Sequence, residues 1–206
     1  IYRPVLDRLN NEIGEKLLLQ VSSESAGWYG SDQQIEAMKG LAPHCLSLAL
    51  RELLPNREAH EKGARFLSDL SSEGTLVQYI LYSPEEVKWY EQLCSEGIIP
   101  GKSHLLLFVL GSYDAPQPSC NLSPYLAQLK RKSQWMACAF GPAESLVARE
   151  AAEHGGHVRV GFENNLYLPD GAIAEDNSDL VRVACKAAED ANREIAEQRD
   201  AVSAHT

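Results

Sequence analysis

The run Leu105–Leu110, LLLFVL, limits the possible folds of this chain more than any other segment. Unbroken apolar character over one strand length marks a strand buried on both faces, as in a parallel sheet covered by helices. The rest of the chain supplies matching parts. Lys16–Val21, Cys45–Leu50, Leu76–Leu81, Trp135–Phe140 and His157–Gly161 read as further strands, with room for a short seventh after Leu50. Between them lie helical patterns. Residues 2–13 carry Val5, Leu6, Leu9 and Ile13 at helical spacing, and Ser31–Gly40 suits a short helix capped by Ser31 or Asp32. Arg57–Leu70 has helical periodicity, and Ser83-Pro84-Glu85-Glu86 opens a helix that stops near Gly97. A short helix is expected near Pro124–Leu129, another over Glu144–Glu153, and a last amphipathic one from a cap at Asn177 to about Glu197. Alternation of helix and buried strand predicts an α/β protein with a parallel sheet.

The chain begins with a helix where such a fold should begin with a strand. Seven strands with one missing at the front match a (β/α)8 TIM barrel of roughly 250 residues without its N-terminal strand. The expectation is therefore a single, truncated barrel domain over residues 1–206. Opening on Ile1 rather than Met fits a fragment, a processed product or a late start.

Composition removes several function classes. A net charge of -10 with dispersed Lys and Arg offers no phosphate-binding face, which argues against nucleic acid. No apolar run approaches the ~20 residues of a membrane span, and no signal-peptide layout is present. The five cysteines Cys45, Cys94, Cys120, Cys138 and Cys185 form no CxxC pair, which favours a reduced, cytoplasmic protein over a disulfide framework.

His157-Val158-Arg159-Val160-Gly161-Phe162 alternates side chains, placing Arg159 and Gly161 on one face. Glu163, Asn164 and Asn165 follow at the strand's exit. An arginine in a short apolar strand is costly unless paired. The C-terminal ends of strands are where α/β proteins place chemistry.

Taken in order, QVSSES, LRELLP, VQYILYSPEEV, LFVLGSY, ACAFG and GGHVRVGFENNLYLPDG make the chain resemble the β-keto acid cleavage enzyme family over nearly its whole length. The resemblance implies a TIM barrel that uses one divalent metal, usually zinc. It also implies condensation of a β-keto acid with acetyl-CoA to give acetoacetate and a new CoA ester, in a homo-oligomer. It places a metal ligand at Glu163 and a functional arginine at Arg159. The family's other metal ligands, a His-x-His pair on the first strand, would lie before Ile1, since His44, His60, His104, His154, His157 and His205 are scattered. Many relatives follow the metal glutamate with an acid that serves as base beside the arginine. Here that position is Asn164, and an amide does not take a proton at neutral pH.

A catalytic pair of Arg159 and Asn164, Glu163 as metal ligand, and Ser23, Ser47, Glu52 and Gln78 as substrate-binding residues form the expected site. Each has a bland reading beside the functional one. Glu163 and Arg159 make an ion pair, the serines bond backbone, Arg51 and Glu52 form a structural pair, and Gln78 is a hydrogen-bonded barrel residue. His157 reads as a structural histidine, and Cys45 and Cys138 as small core residues. Tyr113 and the loop Gly111–Pro118 are candidates to line a substrate entrance. Two other identities stay open: a catalytically silent barrel, and a metal-dependent aldolase on the same scaffold.

Overall fold

A computed structural model describes residues 2–13, 16–25, 27–112, 114 and 121–197. The order is α1 (Tyr2–Ile13), β1 (Val21–Ser22), α2 (Ser31–Leu41), β2 (Cys45–Ala49), α3 (Leu50–Leu53), α4 (Arg57–Ser72), β3 (Leu76–Leu81), α5 (Pro84–Ser95), β4 (Leu105–Leu110), α6 (Ser123–Gln128), β5 (Gln134–Ala139), α7 (Glu144–Glu153), β6 (His157–Val158) and α8 (Asn177–Asp190). This is an α/β protein. Tyr113, Cys120 and His205 lie outside the described residues.

Two compact units divide the chain. The first holds residues up to Ile80 together with Trp89–His104, and the second holds Leu81–Lys88 and Leu105–Ala196. In the first unit β1, β2 and β3 are parallel neighbours in chain order, with Ser22 beside Ser47 and Ser47 beside Gln78. Registered neighbours in a parallel ladder project to the same face. Those three polar residues therefore form a row across the strands. Leu46, Leu48 and Tyr79 pack the opposite face and are almost fully buried. Behind Tyr79 the core is aromatic: Tyr90 bonds the His104 ring through Nδ1 at 2.6 Å, and the ring's Nε2 reaches the Pro100 carbonyl at 2.8 Å.

In the second unit β4, β5 and β6 are likewise parallel, with Ala137 beside Phe108 and Val158. Leu106, Leu107 and Phe108 have no exposed surface, as the apolar run predicts. Phe108 stacks on Trp135 and lies against Tyr125, whose hydroxyl donates to the carbonyls of Tyr82 and Val109. Burial, with Glu86 and Glu85 nearby, pushes the Tyr125 hydroxyl up to about 12.

Several sequence expectations need correction. The strand at Lys16–Val21 is reduced to Val21–Ser22. Its partner in the first unit is β2. The strand at His157–Gly161 is reduced to His157–Val158, although the Arg159 N–H still donates to Ala137 O at 2.9 Å. Gly161 takes φ +148, a conformation nearly confined to glycine, and this turns the chain out of the ladder. The segment after Leu50 is the short helix α3 rather than a seventh strand, because the peptide bonds fold back at once and Leu54 N–H reaches Leu50 O. Helix α2 is capped by Gly30, not Ser31 or Asp32, with Gly30 N–H donating to Gln33 Oε1. Helix α8 is capped by Asp176 rather than Asn177 and ends at Asp190, where Asn192 turns to φ 55. No helix among the described residues is long and apolar enough to cross a membrane.

Candidate functional site

The chain leaves β6 into a tight turn that gathers three of the seven predicted site residues, Arg159, Glu163 and Asn164. Asn164 and Asn165 both donate their N–H groups to Gly161 O, so the segment 161–165 curls back on itself. Two outside groups fix the curl. Gly141 N–H, just past β5, donates to Asn164 O at 2.9 Å. Glu144, in the first turn of α7, accepts from Gly161 N–H through one carboxylate oxygen and from Asn165 Nδ2 through the other, each at 3.1 Å. Glu144 is only 3% exposed, and burial raises its carboxyl above the usual range, opposed by those two bonds. Sequence reading missed this residue, since an acid in a helix's first turn is an ordinary dipole partner. Its position just beyond a strand end was the available signal.

Within the turn, Arg159, Glu163 and Asn164 are brought together. Arg159 Nη2 lies 3.5 Å from both Glu163 Oε1 and Asn164 Oδ1. The arginine side chain is 28% exposed and the Glu163 side chain 65%, so the ion pair itself contributes little. One register step beyond the Ala137–Val158 pairing, Arg159 meets Cys138. Burial pushes the Cys138 thiol up to about 11, partly opposed by the arginine's charge and hydrogen bond. Cys138 is a buried core residue, as predicted, but one that touches the site. At pH 8 it holds almost no thiolate, so iodoacetamide should leave it unmodified in the folded protein and label it in urea. Arg159→Leu removes the lowering influence and should shift the onset of labelling to higher pH; mass spectrometry of the modified peptide checks both.

Two polar atoms here have no hydrogen-bond partner among the described residues although both are buried: Arg159 Nε and Asn164 Nδ2. Buried polar groups are almost always satisfied, and exceptions gather where something else is to be bound. His157 is half-buried, its ring held below the ordinary range by burial and by Arg193, in keeping with a structural role.

The other predicted residues belong to the first unit. Ser23 N–H donates to Ser47 O at 3.0 Å, and Ser23 Oγ reaches the same carbonyl at 3.4 Å. Ser47 is 2% exposed and Gln78 1%, and both amide atoms of Gln78 lack a partner among the described residues. Glu52 Oε2 accepts from Ser25 N–H at 2.8 Å and from Gln34 Nε2 at 3.2 Å, tying the loop after β1 to helices α2 and α3. Gln34, which sequence reading did not single out, also donates to Ser25 Oγ and to the Tyr29 carbonyl.

The residues present do not by themselves make a metal centre. Among the described residues no three His, Cys, Asp or Glu side chains gather at one point. Glu163 offers one exposed carboxylate, whereas a catalytic zinc takes about three protein ligands.

A 64-residue segment is 41% identical to the 3-keto-5-aminohexanoate cleavage enzyme of Fusobacterium nucleatum, covering 31% of this chain and 24% of that protein. A 76-residue segment is 33% identical to the enzyme of the same name from Acetoanaerobium sticklandii, covering 37% of this chain and 28% of that protein. The matched segments span about a quarter of the length of each curated relative. Residues 1–204 match the sequence profile of the beta-keto acid cleavage enzymes, so the chain belongs to the beta-keto acid cleavage enzyme family.

Proposed function

We propose that this chain is a single, truncated (β/α)8 barrel domain, missing its N-terminal strand, of an enzyme that exchanges acyl groups between a β-keto acid and acetyl-CoA. In the overall reaction the acetyl group passes from the CoA sulfur to C2 of the keto acid. The original acyl group passes from C2 to the sulfur, so acetoacetate and a new CoA ester leave. The observation that carries this reading is the pair of buried groups without partners among the described residues, Arg159 Nε and Asn164 Nδ2, at a strand exit in a member of this family.

Arg159 binds substrate oxygen and holds it by a planar set of donors. Asn164 supports that geometry without acting as base, since an amide is not basic at neutral pH. Gln78 offers one donor and one acceptor to substrate, with Ser47 beside it in the polar row. Within the first unit, Ser23 and Glu52 are proposed as further substrate-binding residues. The named activity of the relatives suggests a 3-keto acid with a polar side chain as the compound to try first. Extended by the barrel's first strand, the protein incubated with acetyl-CoA and 3-keto-5-aminohexanoate should yield acetoacetate by mass spectrometry, whereas residues 1–206 alone should not; no acetoacetate from the extended protein with any β-keto acid of a panel refutes the reading.

Glu163 is proposed as a ligand of zinc or another divalent metal. With one carboxylate contributed by the described residues, zinc should bind this chain weakly in calorimetry, and Glu163→Gln should weaken it further. Tight stoichiometric zinc that survives Glu163→Gln would place the ligands elsewhere. The protein is further proposed to act as a cytoplasmic homo-oligomer, which light scattering at micromolar concentration tests.

A second reading, a catalytically silent barrel, is favoured by one feature: an amide at Asn164 where the resemblance implies an acid. Binding of β-keto acids without turnover distinguishes it from the enzyme.

A further inference from the structure

Asn164 differs from an aspartate in a way the local geometry makes meaningful. An arginine side chain has donors and no acceptor. The atom of Asn164 that faces Arg159 Nη2 at 3.5 Å is therefore its oxygen, as observed. This orientation turns the amide nitrogen away from the arginine, and Asn164 Nδ2 is buried without a partner among the described residues, in a residue 5% exposed. Arg159 Nε, on the other member of the same pair, is also buried without a partner among the described residues. Both unmet groups are donors. An aspartate at 164 would present only acceptors to the arginine and would consume its charge in an internal ion pair.

The charged and titratable neighbours do not cancel that donor character. Glu163 lies 3.5 Å from Nη2, which shares an edge of the guanidinium with Nε, and its side chain is 65% exposed, so solvent screens its charge. Glu144 spends its oxygens on Gly161 and Asn165. The Cys138 thiol remains protonated at neutral pH.

We propose that Arg159 Nε and Asn164 Nδ2 form a receptor for an anionic oxygen, which in the substrate is the carboxylate or enolate oxygen of the β-keto acid. Asn164 is on this account an anion-binding residue that keeps the arginine's charge available for the ligand. The proposal rests on the β-keto acid reading above and deepens it.

The test uses the full chain labelled with 15N and two probes without any CoA ester present: formate, a bare carboxylate, and acetoacetate. The Arg159 Nε–H and Asn164 Nδ2–H resonances should move together and saturably with both probes, and Asn164→Asp should weaken both by at least tenfold. Formate moving both resonances while acetoacetate moves neither would support the receptor and refute the β-keto acid reading. Acetoacetate binding with both resonances still, or with equal affinity in Asn164→Asp, would overturn the receptor and leave the functional reading intact. Failure of both probes to move either resonance would overturn the receptor as well. The wild-type titration decides without any variant, so a poorly folded Asn164→Asp does not blunt it.

Discussion

Arg159→Lys is expected to lower acetyl-CoA-dependent cleavage by about 100-fold in kcat/KM, and Arg159→Leu by more. Lysine keeps the charge but replaces a planar fork with one compact ammonium, which cannot hold Asn164, Cys138 and a ligand oxygen at once. Two charge-assisted hydrogen bonds lost at about 1.5 kcal/mol each correspond to that factor of 100. The fold should survive, because the Arg159 backbone, not its side chain, bonds Ala137. Steady-state rates beside a circular dichroism spectrum of each variant check the claim. Unchanged kcat/KM in Arg159→Lys would remove the arginine from the reaction.

The second large effect lies in the core. A methyl group added at Gly156 would sit 2.2 Å from Cη2 and Cζ3 of Trp135 and 2.6 Å from Cε3. The indole has nowhere to retreat, since it stacks on Phe108 with ring centroids 5.6 Å apart, and Phe108 has no exposed surface. Gly156→Ala should therefore destabilise the protein by about 3 kcal/mol, at the upper end of overpacking costs. For a chain of this length the melting temperature should fall by roughly 6–12 °C. Gly40→Ala is the control: no atom lies within 4 Å of its added methyl, and it sits inside α2. There alanine should be neutral or stabilise by up to about 1 kcal/mol. Tryptophan fluorescence during thermal unfolding measures both. Equal melting temperatures for the two variants would contradict the packing described for Trp135.

How much of this was legible beforehand follows from where each signal resides. Leu105–Leu110 and Leu76–Leu81 were readable to the residue because a doubly buried strand leaves its mark in consecutive side chains. Glu144–Glu153 was readable because Gly141 and Pro142 mark its start. The strands at Val21 and His157 were overestimated, because apolar residues continue past the point where ladder bonds end. The grouping of Arg159, Glu163 and Asn164 follows from sequence proximity. Glu144, Cys138 and Gln34 enter through tertiary contacts that periodicity does not encode. The orientation of Asn164 likewise depends on the arginine facing it.

Asn177 was expected to cap the last helix, and its actual partner gives the site a second anchor. Its Oδ1 accepts the Phe162 N–H at 2.8 Å, and lies 3.1 Å from where a side chain at Gly161 would begin. The first residue of α8 thus clasps the peptide that carries Glu163 and Asn164. Any fluctuation that frays the opening turn of α8 also releases the Phe162 amide, so the two should exchange hydrogen with solvent as one cooperative unit. Order at the site is in this sense borrowed from a helix 14 residues further along the chain than Glu163.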